Sequence, residues 1–205
     1  LIVIVDYHTC NTGSILNMLR RIGAQAIVAE HPEQIEQARK IILPGIGAFD
    51  AGMANLKELG FVEPLRRKAL DQRIPTLGIC LGAQLLLDRS EEGDQPGLGW
   101  IPGVARRFRF EAGSPLKVPH MGWNRIETHL EHPLFSRYDT PPRYYFVHSY
   151  YMDCANQEHA LGWTSYGIRF ASSIVRNNIM GVQFHPEKSH RFGMQLLKNF
   201  VELCD

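Results

Sequence analysis

The chain has no two cysteines spaced as Cys-x-x-Cys. Its four, Cys10, Cys80, Cys154 and Cys204, are scattered over 205 residues. That excludes a zinc knuckle or a thioredoxin-type motif, and the low density argues against a disulfide framework. No apolar stretch approaches the roughly 20 residues that a membrane-spanning helix needs. No charge sign dominates: 22 Lys and Arg stand against 21 Asp and Glu, a formal net charge of +1. Arg66-Arg67-Lys68 and Arg106-Arg107 read as solvated faces, and the alternation in RRFRF (106–110) suits one half-buried strand, so no nucleic-acid partner is expected. The opening run LIVIVD is too short for a signal peptide and carries no basic leader, and no linker, repeat or low-complexity tract divides the chain. These absences lead us to expect one domain over 1–205, cytoplasmic and reducing, with no membrane contact.

What is present is an alternation of strand and helix. Leu1 to Val5 is a continuous apolar run, the mark of a strand buried on both faces. Ile15, Leu16, Met18, Leu19 and Ile22 recur at helical spacing up to Gly23. Strands are expected over 24–29, 40–43 and 74–79, a helical region over 50–72 broken near Gly60 and Pro64, and a helix over 81–88. The second half reads as short strands over 105–110, 123–127, 144–147, 160–164, 171–176 and 178–184. A final helix over 189–203 should turn Phe192, Leu196 and Phe200 to the sheet. The fold class is α/β, a mostly parallel central sheet flanked by helices. Sites on such sheets form at the carboxyl ends of the strands, here 6–14, 44–49 and 78–84.

GICLGAQ (78–84) carries the sharpest chemical signal. Cys80 follows an apolar strand, with Gly78 and Gly82 two residues to either side. A buried structural cysteine needs neither glycine; a nucleophile lifted on a strand-to-helix turn needs both. At the start of a helix its thiolate is favoured, and the backbone N–H of Leu81 is an orphan donor suited to a developing oxyanion. The Gly-rich turn PGIG (44–47) follows another strand and offers a second donor, or is simply a turn. A cysteine nucleophile needs a base. In GVQFHPEKS (181–189), Pro186 biases His185 to extended backbone, and continued extension would set Glu187 on the same side to orient the imidazole.

GICLGAQ with a distant HPE resembles the class I (triad) glutamine amidotransferases. PGIGAF (44–49), GLGWIPG (97–103), VPHMGWN (118–124), YYFVHSYY (144–151) and GVQFHPEKS fall in order over nearly the whole chain. As a set they resemble, more closely, the glutaminase subunits of imidazole glycerol phosphate synthase. The resemblance implies a flavodoxin-like fold, no cofactor and no metal. It implies that Cys80 attacks the side-chain amide of glutamine, with His185 as base and then acid and Glu187 as its orienter. Gly45, Ile46 and Leu81 match the oxyanion region, whose turn must rearrange before it donates. Gln84, Ser149 and Tyr150 match glutamine-binding positions. The implied partner is a (β/α)8-barrel cyclase subunit in a heterodimer, which takes the ammonia through its interior and forms imidazole glycerol phosphate and aminoimidazole carboxamide ribotide. Pro119, Trp123, Tyr145 and Lys188 match interface or gate positions; core packing is the ordinary role of such aromatics.

One place departs from that pattern. The first loop reads DYHTCNTGS (6–14), with His8 where the family has glycine, while Asn11 and Ser14 still fit. The change is neutral if that position does not need positive φ. It also fits a different partner, as in a paralogue that supplies ammonia for amidine formation on a bacterial surface sugar. His8 and Cys10 alone make a weak case for a metal. A cysteine peptidase on a similar fold and a non-catalytic partner subunit are the readings from other classes. Gln84 and PGIG speak against the first, and the intact Cys80, His185 and Glu187 against the second.

Overall fold

The computed structural model describes residues 1–128 and 131–204. In chain order its regular elements are β1 (Ile2–Val5), α1 (Thr12–Arg21), β2 (Ala26–Ala29), β3 (Lys40–Gly45), α2 (Phe49–Glu58), α3 (Val62–Arg66), β4 (Thr76–Cys80), α4 (Leu81–Leu85), β5 (Arg89–Ser90) and β6 (Gly103–Arg107). There follow β7 (His120–Arg125), β8 (Glu127–Thr128), β9 (Arg143–His148), β10 (Tyr150–Cys154), β11 (Ala160–Tyr166), β12 (Ile168–Arg176), β13 (Ile179–Val182) and α5 (His190–Leu203).

The apolar runs form the centre of the sheet. β2, β1, β3, β4 and β13 lie side by side in that order, all parallel. β12, β10 and β6 continue the sheet antiparallel, and β5 closes it parallel to β6. β7 and β9 form a separate antiparallel ribbon. Successive residues of a central strand enter opposite cores: Val3, Val5, Ile41 and Leu43 pack with Met53, Leu56 and Leu85, whereas Ile2, Ile4 and Ile42 pack with Ile15, Leu19, Leu196 and Phe200. Alternation of facing with apolar residues at every position is what a sheet covered on both sides requires. Phe192, Leu196 and Phe200 are buried as their spacing predicts.

Several expectations shift. The 50–72 region breaks at Gly60, where φ is +75°, but not at Pro64. Pro64 sits in the first turn of α3, where its missing N–H has no intrahelical partner to lose, and the chain continues as a π-helical turn over Arg67–Asp71. The helix after Cys80 ends at Leu85 rather than 88. The strand expected over 123–127 lies at 120–125, in register with β9. β10, not foreseen, pairs with both β6 and β12.

Candidate active site

Cys80 ends β4 and starts α4 with φ 53° and ψ −111°. A non-glycine residue there stores roughly 1–3 kcal/mol of backbone strain, held by the packing around it. The flanking glycines supply close approach rather than dihedral freedom. A Cβ on Gly82 would overlap the Leu43 carbonyl of β3, and one on Gly78 would stand 2.7 Å from Cα of Ala83. The thiol opens onto a cavity of about 300 Å³, also lined by Leu81, Gln84, Ser149, Tyr150 and His185.

His185 follows β13, the strand beside β4, in extended backbone (φ −103°, ψ 98°). Extension stops there. Pro186–Lys188 is a 3-10 turn, so Glu187 meets the imidazole because the chain turns, not because the strand continues. Nδ1 of His185 lies 2.6 Å from Oε1 of Glu187, and both side chains are buried. Nε2 of the ring and Oε2 of Glu187 are buried without a hydrogen-bonded partner. Burial disfavours the charged ring, but Cys80 and Glu187 outweigh it and push the imidazole pKa up to about 10. The ribbon strand β9 pins this segment: the His185 N–H donates to the Tyr145 carbonyl (2.9 Å), and Ser189 Oγ donates to the His185 carbonyl (2.6 Å).

Gly45 lies beside Cys80 in the β3–β4 register, with the Tyr7 hydroxyl packed against the space where a Cβ would stand. Ile46 lines the cavity, but its N–H donates to the Thr9 carbonyl at 2.7 Å. The donor expected for an oxyanion is therefore engaged by the first loop. His8, in that loop, has φ 67°, so the position does take the left-handed conformation that glycine favours.

Gln84 is buried and donates from Nε2 to the Tyr150 carbonyl (3.1 Å) and to Oε1 of Gln183 (3.0 Å). Pro119 and Lys188 also line the cavity. Trp123 and Tyr145 stand outside it. Trp123 is 44% exposed; its ring stacks over His190 and meets Tyr145 edge-on, and Lys188 Nζ lies 5.9 Å from the Tyr145 ring centroid. With Ile46, Val118 and Met121 also exposed, an apolar surface borders the cavity mouth.

Sequence reasoning missed Gln183 and His148. Gln183 is fully buried, and its Nε2 is 3.9 Å from the Cys80 sulfur. Counting back two residues from His185 along the strand would have found it. His148 lines the cavity through a buried pair with His120, a contact no local pattern announces. Among the described residues, no group of three His, Cys, Asp or Glu side chains could hold a metal ion.

Residues 3–204 match the glutamine amidotransferase class-I family. The chain belongs to the class I glutamine amidotransferases. Such an enzyme takes the side-chain nitrogen of glutamine. Over 203 residues the chain is 52% identical to imidazole glycerol phosphate synthase subunit HisH 2 of Pseudomonas aeruginosa, covering 99% of this chain and all of that one. It is 47% identical to subunit HisH 2 of Methanococcus maripaludis, covering 98% and 99%, and 44% identical to subunit HisH of Bdellovibrio bacteriovorus, covering 99% and 100%. Among solved structures, a glutamine amidotransferase superposes with a TM-score of 0.75 at 20% identity, covering 98% of each chain. PurLQS from Thermotoga maritima superposes at 0.74 with 14% identity, covering 100% and 98%. At those identities the likeness speaks for the fold: a mostly parallel sheet with flanking helices, as this amidotransferase shows.

Proposed function

We propose that this amidotransferase is the glutaminase subunit of an imidazole glycerol phosphate synthase, a single domain over 1–205 acting in the cytoplasm. His185 takes the Cys80 thiol proton through Nε2 as the sulfur attacks the side-chain amide carbon of glutamine, and the oxyanion forms against the Leu81 N–H and the Gly45-Ile46 turn. His185 gives its proton to the leaving nitrogen, ammonia departs, and a glutamyl thioester remains. His185 then takes a proton from water, which attacks the thioester and releases glutamate. Glu187 holds the ring through Nδ1, leaving Nε2 to the sulfur side. Gln84, Ser149 and Tyr150 bind glutamine. The observation that carries this is His185 bonded to Glu187 at 2.6 Å while its other nitrogen is left without a partner beside a cavity that both His185 and Cys80 line.

The partner is a (β/α)8-barrel cyclase, which performs the ring-forming step and receives ammonia before water can protonate it. The exposed apolar surface around Trp123, beside Pro119, Tyr145 and Lys188, is the docking and gating face. The Ile46 N–H bonded to Thr9 fits a subunit that turns over slowly until docking frees that donor. Replacing Cys80 with alanine should abolish glutamine-dependent synthesis by the complex and spare ammonia-dependent synthesis. Equal loss of both would overturn the reading.

The alternative reading is ammonia supply for amidine formation on a bacterial surface sugar. His8 occupies a left-handed position at which the histidine-pathway pattern carries glycine, so its substitution is not conformationally neutral. Stimulation of glutamine hydrolysis by a histidine-pathway cyclase with its nucleotide ligand supports the first reading. No stimulation by a folded cyclase of the same organism supports the second.

A further inference from the structure

The ribbon strand β7 has two faces. Met121 and Trp123 point outward and are exposed; His120 and Asn124 are on the other side. His120 is paired in register with His148 of β9, and both rings are buried among Phe108, Phe146, Tyr166 and Phe170. Burying two imidazoles in an aromatic cluster is unfavourable unless their nitrogens are satisfied. Here they are, and in one direction. His148 Nδ1 is 2.7 Å from the Tyr150 carbonyl, which only accepts, so Nδ1 carries the proton. His148 Nε2 then accepts from His120 Nδ1 at 2.9 Å, and His120 Nε2 accepts from Asn124 Nδ2 at 3.3 Å. A proton on His148 Nε2 would set two donors against each other, so the pair is neutral; burial likewise pulls the two pKa values down, to about 4 for His120 and about 3 for His148. The Tyr150 carbonyl is also the acceptor for Gln84, whose amide donates on to Gln183, which reaches the Cys80 sulfur.

We propose that His120 and His148 are positioning residues for the glutamine pocket: a directed, neutral pair that fixes the Tyr150 carbonyl and, through it, the side chain of Gln84. The chain Asn124, His120, His148, Tyr150, Gln84, Gln183 runs from the strand bearing the exposed Trp123 to Cys80. This inference rests on the glutaminase reading, since it assigns Gln84 to glutamine binding.

The test uses His120, which does not line the cavity, so an effect on glutamine must pass through His148. In the full chain carrying Cys80→Ala, glutamine affinity is measured by calorimetry, with thermal melting to establish folding. His120→Leu fills the space without the link and should weaken binding about tenfold. His120→Asn places an amide donor where Nδ1 stood and should recover most of that loss, although it packs less well. Nitrogen NMR of the histidine rings in the wild-type chain should show the proton on Nδ1 in both. A Cys80→Ala parent with no glutamine affinity would defeat the glutaminase reading. A parent that binds, with His120→Leu binding equally well or His120→Asn binding worse than His120→Leu, would overturn the positioning role, as would Nε2-protonated rings.

Discussion

Glu187→Gln keeps the length and the Oε1 acceptor of the orienting side chain and removes its charge. The Nδ1–Oε1 bond is 2.6 Å, between side chains 2% and 8% exposed, so water screens little of the interaction. A hydrogen bond to a charged partner contributes roughly 1.5–3 kcal/mol against about 0.5–1.5 for a neutral one. The difference, about 1–1.5 kcal/mol, corresponds to about one pKa unit at 1.36 kcal/mol per unit. The His185 pKa should therefore fall from about 10 by about one unit, toward its ordinary value of 6.5. A raised histidine pKa contributes stability that is fully present below pH 6.5 and is lost as pH rises through about 10, so the variant loses part of that contribution at neutral pH. The amide NH2 that replaces the unpartnered Oε2 changes global stability as well, so the ring itself is the readout. NMR titration of the His185 imidazole measures it, with the pH dependence of Cys80 alkylation by iodoacetamide as a second probe. Glutamine turnover should drop about tenfold, less than the roughly 10²–10⁴ expected for removing His185, the proposed proton carrier. An unchanged imidazole pKa, or a turnover loss as large as that of His185→Ala, would refute the assignment of Glu187 as orienter alone.

Gly82→Ala should lower stability by about 1–3 kcal/mol or more, visible as a drop in Tm, because the added methyl meets the Leu43 carbonyl, a backbone atom that cannot move aside. Ile46→Pro removes the N–H now bonded to Thr9; if that donor serves the oxyanion after docking, activated turnover falls roughly 10²–10³-fold, and full activation of the variant by the partner would argue against the turn. Trp123→Ala, which truncates the exposed ring over His190, should weaken docking or coupling by about 2 kcal/mol or more, and unchanged affinity and coupling would remove it from the interface.

The elbow was legible because its cause is local. Gly78 and Gly82 flank Cys80 at the end of an apolar run, and the close approach they permit is visible as residue type. The central strands were legible for a similar reason: burial on both faces leaves no polar interruption. What did not show was set by pairing between distant segments. The engagement of Ile46 by Thr9 joins two loops, and nothing in PGIG or DYHTC encodes it. The His120–His148 contact follows from a ribbon register that only the folded chain defines. β10 escaped because Tyr150–Cys154 carries Asp153 in an otherwise apolar run, a residue that Arg106 answers from the neighbouring strand. The route to Glu187 was anticipated for the wrong geometric reason: a 3-10 turn at Pro186 does what extension was expected to do.

The position of Cys80 is a consequence of two registers. In β3–β4, Gly45 falls beside Cys80, which places the glycine turn on one flank. In β4–β13, Ile79 is opposite Val182, so the next residues, Cys80 and Gln183, are neighbours, and His185 follows two residues on. A slip of one residue in either pairing would reverse which face each side chain takes and would set Phe184 or Val182 where Gln183 now meets the sulfur. The apolar residues that lock those registers, Leu43, Leu77, Ile79 and Val182, do not line the cavity, yet they fix where the thiol, the imidazole and the glycine turn meet. Misplacement of reacting groups by as little as about 1 Å can cost about 10²-fold in rate. On the proposed mechanism, the buried strands of this amidotransferase therefore carry a catalytic constraint as well as a packing one.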